Sequence, residues 1–238
     1  GAGGSFMLVG DKGAGMLEGI QCWKAAEGET VSVRVFTPGD VVALYVNDYL
    51  VGRRLAGKVN KSLVDLLESA GCKAVGLCGE DGHMLACEKM SDELGFVGRI
   101  VNVDSRIIKD MLSLGYVPVI SPIGFDAEGN IYNVNADTAA AAIAGAIGAE
   151  SLILMTDIKG LLENKDDPES LIKKVYVSDI PALVKLGIIS GGMIPKIECC
   201  KEAIRRGVNK VFITDGRVYH SILVEILSEE GSGTMFYS

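Results

Sequence analysis

The sequence predicts an α/β fold, a three-layer αβα sandwich with a mostly parallel central sheet. Short apolar runs of strand length alternate with segments of helical period, which places a sheet between helix layers. Polar residues also gather directly after the apolar runs, where the carboxyl ends of strands in such sheets receive ligands. A chain of 238 residues, 48% of them hydrophobic, is long enough for one large domain or two lobes sharing a sheet. With no repeat and no Pro-, Gly- or Ser-rich linker, a single domain of two lobes is expected, residues 5–132 and 133–238.

The elements follow in order. SFMLVG, residues 5–10, reads as a short buried strand running into the Gly-rich turn GDKGAG. VSVRVF, residues 31–36, alternates with period two, as a half-buried strand does. Residues 40–70, around GKVNKSLVDLLESAG, carry helical spacing that Gly71 stops. KAVGLCG (73–79) is a strand, and GHMLACEKM (82–90) is another, reached through a turn at Glu80, Asp81 and Gly82. GRIVNVD is a strand, followed by a helix over 105–115 capped by Ser105 and closed by Gly115. YVPVISPIGF is one buried strand, from which DAEGNIYNVN turns back as a hairpin. ADTAAAAIAGAIGA (136–149) is a helix of small residues that can lie close against a sheet. SLILMTD (151–157) and KVFITDG (210–216) read as central strands, with the short helix VSDIPALVKLG between them. A further amphipathic helix follows ISGGMIPK.

Several function classes drop out on composition. A net charge of −8 and 6% aromatic residues leave neither a basic stripe nor a stacking platform for nucleic acid. No apolar run reaches membrane-spanning length, and GAGGSFMLVG has neither the basic start nor the cleavage site of a secretory signal. Cysteines 22, 72, 78, 87, 199 and 200 form no CxxC pair, and His83 and His220 stand alone, so no metal site is expected. GDKGAG lacks the spacing of a dinucleotide-binding fingerprint, and neither a P-loop nor the protein-kinase motifs occur.

Three stretches remain. In ISGGMIPKIECC, Gly191 and Gly192 let the backbone turn and Pro195 suits a first helical turn. Lys196 then stands at the positive end of a helix, beside unpaired amides, where a phosphate is favoured. In YNVNADTAAAAIAG, Asn133 and Asn135 offer amides, and Asp137 sits in a first helical turn. In LMTDIKGLLENKDDPESL, Thr156 and Asp157 end a strand and Gly160 lets the chain bend. Taken singly, an exposed lysine, a helix cap and a tight turn before an acidic loop explain them as well. Together they make the inventory of phosphoryl transfer: a cation for phosphate oxygens, a carboxylate to order cations, and amides to hold an acceptor.

The segments GKVNKSLV, LGFVG, PVISPIG, YNVNADTAAAAIA, LILMTDIKGLLENKDDPESLIKK, ISGGMIPKIECC and FITDGRVYHSILVEILSEEGSGTM occur in one order over residues 57–236. In that order they resemble the N-acetylglutamate kinases of the amino-acid kinase family, above all the plant chloroplast members. The resemblance implies ATP- and Mg2+-dependent phosphorylation of the γ-carboxylate of N-acetyl-L-glutamate in arginine biosynthesis, in plastid stroma or cytoplasm. It makes Lys196 the transition-state lysine and Asp137 the residue that orients catalytic lysines. Acetylglutamate would be held by Asn133, Arg34 and the loop at Gly13. Thr156, Asp157, Ile158, Lys159, Gly160 and Leu161, with Ile188, Ile189 and Ser190, would line the nucleotide side. Glu225, Glu230 and Gly231 would meet an arginine effector, and a homo-oligomer and a PII-type signalling partner are implied as well.

The first quarter departs from the family pattern of Lys-x-Gly-Gly, a helix, and a strand ending in His-Gly-Gly-Gly. Gly3, Gly4 and Ser5 resemble the end of the first motif without its lysine, and Gly13 with Lys12 keeps part of the second. That leaves two alternatives, a kinase for a related acyl amino acid and a catalytically impaired homologue that binds nucleotide or arginine as a regulatory subunit.

Overall fold

The computed structural model describes residues 55–228 and 231–238, with the backbone of β1 (Gly4–Ser5) and β2 (Cys22–Trp23), paired antiparallel. The strand expected over 31–36, most of that over 5–10, and residues 40–54 of the first expected helix lie outside the described residues. Two compact units are present, Gly1–Ala139 and Ala140–Ser238. The cut falls within a helix, where the sequence led us to expect a boundary at 132/133.

In the first unit a π-helical turn, Leu55–Val59, runs into α1 (Asn60–Ser69). Gly71, at φ +87°, ends the helix as expected, in a conformation that strains any L side chain. Asn60 is buried, and its Nδ2 donates to the carbonyls of Leu77 and Val119 and to Ser121 Oγ. This ties α1 to the parallel pair β3 (Ala74–Cys78) and β6 (Val117–Ser121). A Cβ on Gly76 would fall 1.9 Å from Asn60 Oδ1, so only glycine admits the amide there.

A second sheet runs in the order β5-β4-β7-β8, from β4 (Leu85–Lys89), β5 (Gly98–Val103), β7 (Ile123–Phe125) and β8 (Ile131–Asn133). The single strand expected over 116–125 is cut at Pro122. Proline has no N–H for a ladder, and the halves join different partners, β3 and β8. Asp126 makes the β7–β8 turn: Oδ1 accepts from the amides of Glu128 and Asn130, and Oδ2 from Asn130 Nδ2 and Tyr132 Oη. Helix α2 (Arg106–Ser113) receives its cap from the Asp104 carboxylate, which accepts the Arg106 amide at 3.1 Å, rather than from Ser105.

The helix α3 (Ala136–Ile147) leads into the second unit, whose sheet runs β10-β12-β11-β9. Its strands are β9 (Ser151–Thr156), β10 (Lys174–Tyr176), β11 (Lys210–Asp215) and β12 (Thr234–Tyr237). β11 is parallel to β9, with Asp215 opposite Thr156, and antiparallel to β12, which is itself parallel to β10. Parallel pairing is thus confined to the crossovers, while each short return is antiparallel. Helices α4 (Ile180–Lys185), α5 (Met193–Arg205) and α6 (Ser221–Leu227) complete the unit.

The core joins Leu154 of β9, Val211 and Ile213 of β11 and Phe236 of β12 to Ile197, Cys200 and Ala203 of α5. Ala141 and Ala144 of α3 pack into it, and a Cβ on Gly145 would stand 2.5 Å from that of Arg206. The close approach that Gly145 permits is to Arg206, at the end of α5, whereas the sequence led us to expect one against a sheet. Of the five cysteines described in full, Cys87 and Cys200 are buried as small apolar residues, Cys78 and Cys199 are half-buried and Cys72 is exposed, and burial pushes the Cys87 thiol up to about 11.

The strand β12 was not expected from the sequence, because a four-residue segment, TMFY, gives no readable period. Its Phe236 is fully buried. Phe236→Ala is expected to cost about 3–5 kcal/mol of unfolding free energy in urea, and a loss below about 1 kcal/mol would mean that β12 adds little to the core.

Candidate functional site

In the first unit, β8 places the two asparagines. Tyr132 and Val134 alternate into a small core with Cys87 and Ala139, which fixes the register of Asn133 and Asn135 between and after them. The Asn133 amide nitrogen of the main chain donates to Phe96 O at 2.9 Å. Its side-chain Nδ2 is buried and has no hydrogen-bond partner among the described residues. A buried donor left so costs about 1–3 kcal/mol, which a ligand oxygen would recover. Asn135 behaves differently: its Oδ1 accepts from Thr138 N at 3.0 Å and from Thr138 Oγ1 at 3.2 Å, so it caps α3. Asp137 is half-buried in the first turn of that helix.

In the second unit, the carboxyl ends of β9 and β11 are joined by Gly216 N donating to Thr156 O at 2.8 Å. The Thr156 hydroxyl shapes the next turn, accepting from Ile158 N and donating to Ile158 O. Asp215, nearly buried, accepts from the main-chain N, Nε and Nη2 of Arg217 at 2.7–2.9 Å. Burial opposes its ionisation, yet the Arg217 side chain and amide, with Arg217 and Lys159 charges, hold its pKa below the ordinary 3.8. Asp157 and Lys159 are exposed, and Lys159 Nζ lies 3.9 Å from Glu169, a surface pair of little energetic weight.

Leu161 and Ile189 share the main core, with Ile158 and Ile188 packed against it. The two segments expected on the nucleotide side, 156–161 and 188–190, are therefore brought together. The acidic loop between them is pinned by Lys165 Nζ, 2.5 Å from Ser190 Oγ, and by the Leu162–Leu171 bridge.

Lys196 is half-buried in the first turns of α5. The unpaired amides expected beside it are not found at Met193 or Ile194, whose N–H groups donate to the Ser190 and Gly191 carbonyls at 3.2 Å. Pro195 has none to give.

Glu225, expected to meet a guanidinium, is buried and engaged elsewhere. Its Oε2 accepts from Ser232 N and Gly233 N at 2.8 Å and from Ser232 Oγ at 3.1 Å, closing the loop before β12. Gly231, at φ +60°, has its carbonyl taken by Lys173 Nζ at 2.9 Å. Gly13, Arg34 and Glu230 lie outside the described residues. Sequence reasoning missed Lys165, Arg217 and Thr234. The spacing Asp-Gly-Arg after a strand signals the second, whereas a lysine in a charged loop signals nothing. Among the described residues no group of three or more His, Cys, Asp or Glu is placed to hold a metal ion, and no helix is long and apolar enough to cross a membrane.

The sequence model of the amino acid kinase family matches residues 18–215. The acetylglutamate kinase of Brachyspira hyodysenteriae is 52% identical over 185 residues, covering 77% of this chain and 64% of its own length. The chloroplastic acetylglutamate kinase of Arabidopsis thaliana is 47% identical over 188 residues, covering 78% and 54%. The chain thus spans somewhat less than two thirds of the length of these curated relatives. Among solved structures, smu.665 from Streptococcus mutans is 29% identical with a TM-score of 0.65, over 82% of this chain and 75% of that one. The N-acetylglutamate synthase of Neisseria gonorrhoeae, complexed with coenzyme A and N-acetyl-glutamate, shares the fold at 22% identity and a TM-score of 0.69, over 82% and 45%.

The Asp215–Arg217 pair yields a pH prediction. A carboxylate with a depressed folded pKa adds stability above its ordinary value of 3.8 and loses it as pH falls through the folded pKa. Arg217→Met leaves burial to dominate, so acid unfolding followed by circular dichroism is expected to begin at higher pH than in the parent chain. An unmoved acid limb would mean that the pair contributes nothing.

Proposed function

The chain belongs to the amino acid kinase family, and from that premise we propose that it transfers the γ-phosphoryl group of ATP to the γ-carboxylate of N-acetyl-L-glutamate. The observation that carries the substrate side is Asn133, a buried amide donor whose partner is not among the described residues. It stands at the position that the resemblance assigns to acetylglutamate. Arg34 and Gly13 are proposed to complete acceptor binding, and Asp137 to orient the catalytic cations. The loop 156–161 with Ile188, Ile189 and Ser190 is proposed to receive the nucleotide. Mg2+ would arrive on the triphosphate and offset part of its charge.

In the reaction an oxygen of the γ-carboxylate attacks the γ-phosphorus, and the bond to the β-phosphate oxygen breaks with its electron pair leaving on ADP. The product is an acyl phosphate. Negative charge develops on the leaving ADP oxygen and is spread over the oxygens of the transferring group in the transition state, and Lys196 is proposed to meet it there. The transfer is direct, and the protein's part is to bind and orient the two substrates without a covalent intermediate of its own.

The test is ATP-dependent hydroxamate formation from acetylglutamate with hydroxylamine, beside nucleotide binding by calorimetry. Nucleotide binding without hydroxamate would support the regulatory homologue instead, and hydroxamate from a longer acyl amino acid alone would reassign the substrate. L-Arginine is proposed as an effector of the C-terminal segment, with Glu230 and Gly231 as its contacts now that Glu225 is engaged within the fold. Arginine-selective stabilisation in a thermal shift, absent with L-lysine, is the expected result, and equal shifts would remove the proposal. A homo-oligomer, a PII-type partner and a plastid or cytoplasmic location rest on the resemblance, and light scattering with and without the partner checks the first two.

Lys196→Ala is expected to lower kcat by about a hundredfold while changing ATP affinity little, because its charge acts most strongly on the transition state. Equal losses in binding and turnover would make it a ground-state anchor.

A further inference from the structure

Thr234 opens β12 and is fully buried. Its Oγ1 accepts the Leu161 N–H at 2.8 Å and donates to the Ile172 carbonyl at 2.7 Å. Ile172 N in turn donates to Leu161 O at 2.8 Å, so the three residues close a ring of hydrogen bonds. Gly160, at φ +151°, runs so close that a Cβ there would lie 2.5 Å from Thr234 Oγ1 and 3.0 Å from Thr234 N. The loop that leaves β9 is therefore held by a hydroxyl on the last strand, about seventy positions away, as much as by its own turn.

That hydroxyl is itself fixed. Thr234 pairs with Ile213 in the β11–β12 ladder. The preceding residue, Gly233, donates its amide to Glu225 Oε2 and passes so near Ile213 O that a Cβ would stand 2.1 Å away. Ser232 Oγ donates to the same carboxylate and lies 3.0 Å from Thr214 Oγ1, on the strand next to the loop. Glu225 and Gly233 thus set where the Thr234 hydroxyl stands, and the hydroxyl sets Gly160 and Leu161.

We propose that Thr234 is a positioning residue for nucleotide binding: its hydroxyl fixes the 156–161 loop in the shape that receives the nucleotide. The inference rests on the reading that this loop meets the nucleotide. Valine has the shape of threonine without the hydroxyl, so Thr234→Val keeps the volume and leaves Leu161 N–H and Ile172 C=O unpaired. The loop then relieves that cost by moving away, and nucleotide affinity falls while acetylglutamate affinity does not. Serine keeps the hydroxyl.

The test is calorimetry of the full chain with ADP and, separately, with acetylglutamate, together with hydrogen exchange at the Leu161 amide. Thr234→Val is expected to weaken ADP about tenfold and acetylglutamate by less than about twofold, with faster Leu161 exchange, while Thr234→Ser restores all three. ADP binding unchanged in Thr234→Val, or equal loss of both ligands, would overturn the proposal. Should the valine variant not fold, Gly160→Ala presses on the same hydroxyl from the loop side. It is expected to give the same ADP-selective loss, and unaltered ADP binding there overturns the proposal equally. A parent chain that binds acetylglutamate but no ADP would instead refute the nucleotide reading of the loop, a failure distinct from equal ADP binding by parent and valine variant.

Discussion

β11 has protein on both faces, and each polar group it carries must find a protein partner. Val211 and Ile213 are fully buried on one face, and Thr214 is fully buried on the other. A hydroxyl at that depth costs free energy unless it is bonded. Ser232 meets it, and because the serine gives its own proton to Glu225, the demand passes to a carboxylate that also takes two main-chain amides. The result is a satisfied network rather than a lone buried charge, which is the condition for carrying such groups in a core. One residue further, Asp215 meets the same demand through Arg217. The burial of a single strand therefore dictates the loop before β12, the place of α6 and the charge pair at the strand end.

How much of this could be read beforehand depends on the range of the signal. β3, β9 and β11 were legible because each is an apolar run bounded by glycine or a polar turn, and β5 because Ile100, Val101 and Val103 follow a glycine. Helix α2 was legible from its period and its closing glycine, and α3 from its run of small residues. What escaped was set by partners far along the chain. Nothing local tells that YVPVISPIGF splits between two sheets, since the proline marks a break without naming the partners. Nothing near Glu225 tells that three donors reach it from residues 232 and 233, so a free acidic side chain was the natural expectation. Thr234 looked like one residue in a Gly-Ser-Gly-Thr tail, and its meaning lies in a loop of another strand.

Asn133 and Asn135 show the same division at the smallest scale. Both are amides two residues apart, before one helix. Asn135 lies at the helix start, where its oxygen finds the Thr138 amide by local geometry alone. Asn133 belongs to the strand, which fixes its main chain on both sides and leaves the side chain no acceptor among the described residues. Sequence spacing identifies the pair, but only the strand register separates a cap from a candidate ligand contact.

The start of α5 turns the same reasoning on charge. A helix N-terminus attracts anions through oriented amides and through whatever cation stands there, and here the first two amides are closed by the carbonyls of Ser190 and Gly191. Oriented amides are fixed dipoles and hold a ground-state phosphate as well as a transition state. A lysine ammonium is a compact charge on a flexible stem, able to follow the group as it moves from one oxygen to another. With the amides of Met193 and Ile194 closed, the charge at this helix start is carried by the Lys196 side chain more than by those two dipoles. The transition-state role proposed for Lys196 draws on that difference between a fixed dipole and a mobile charge.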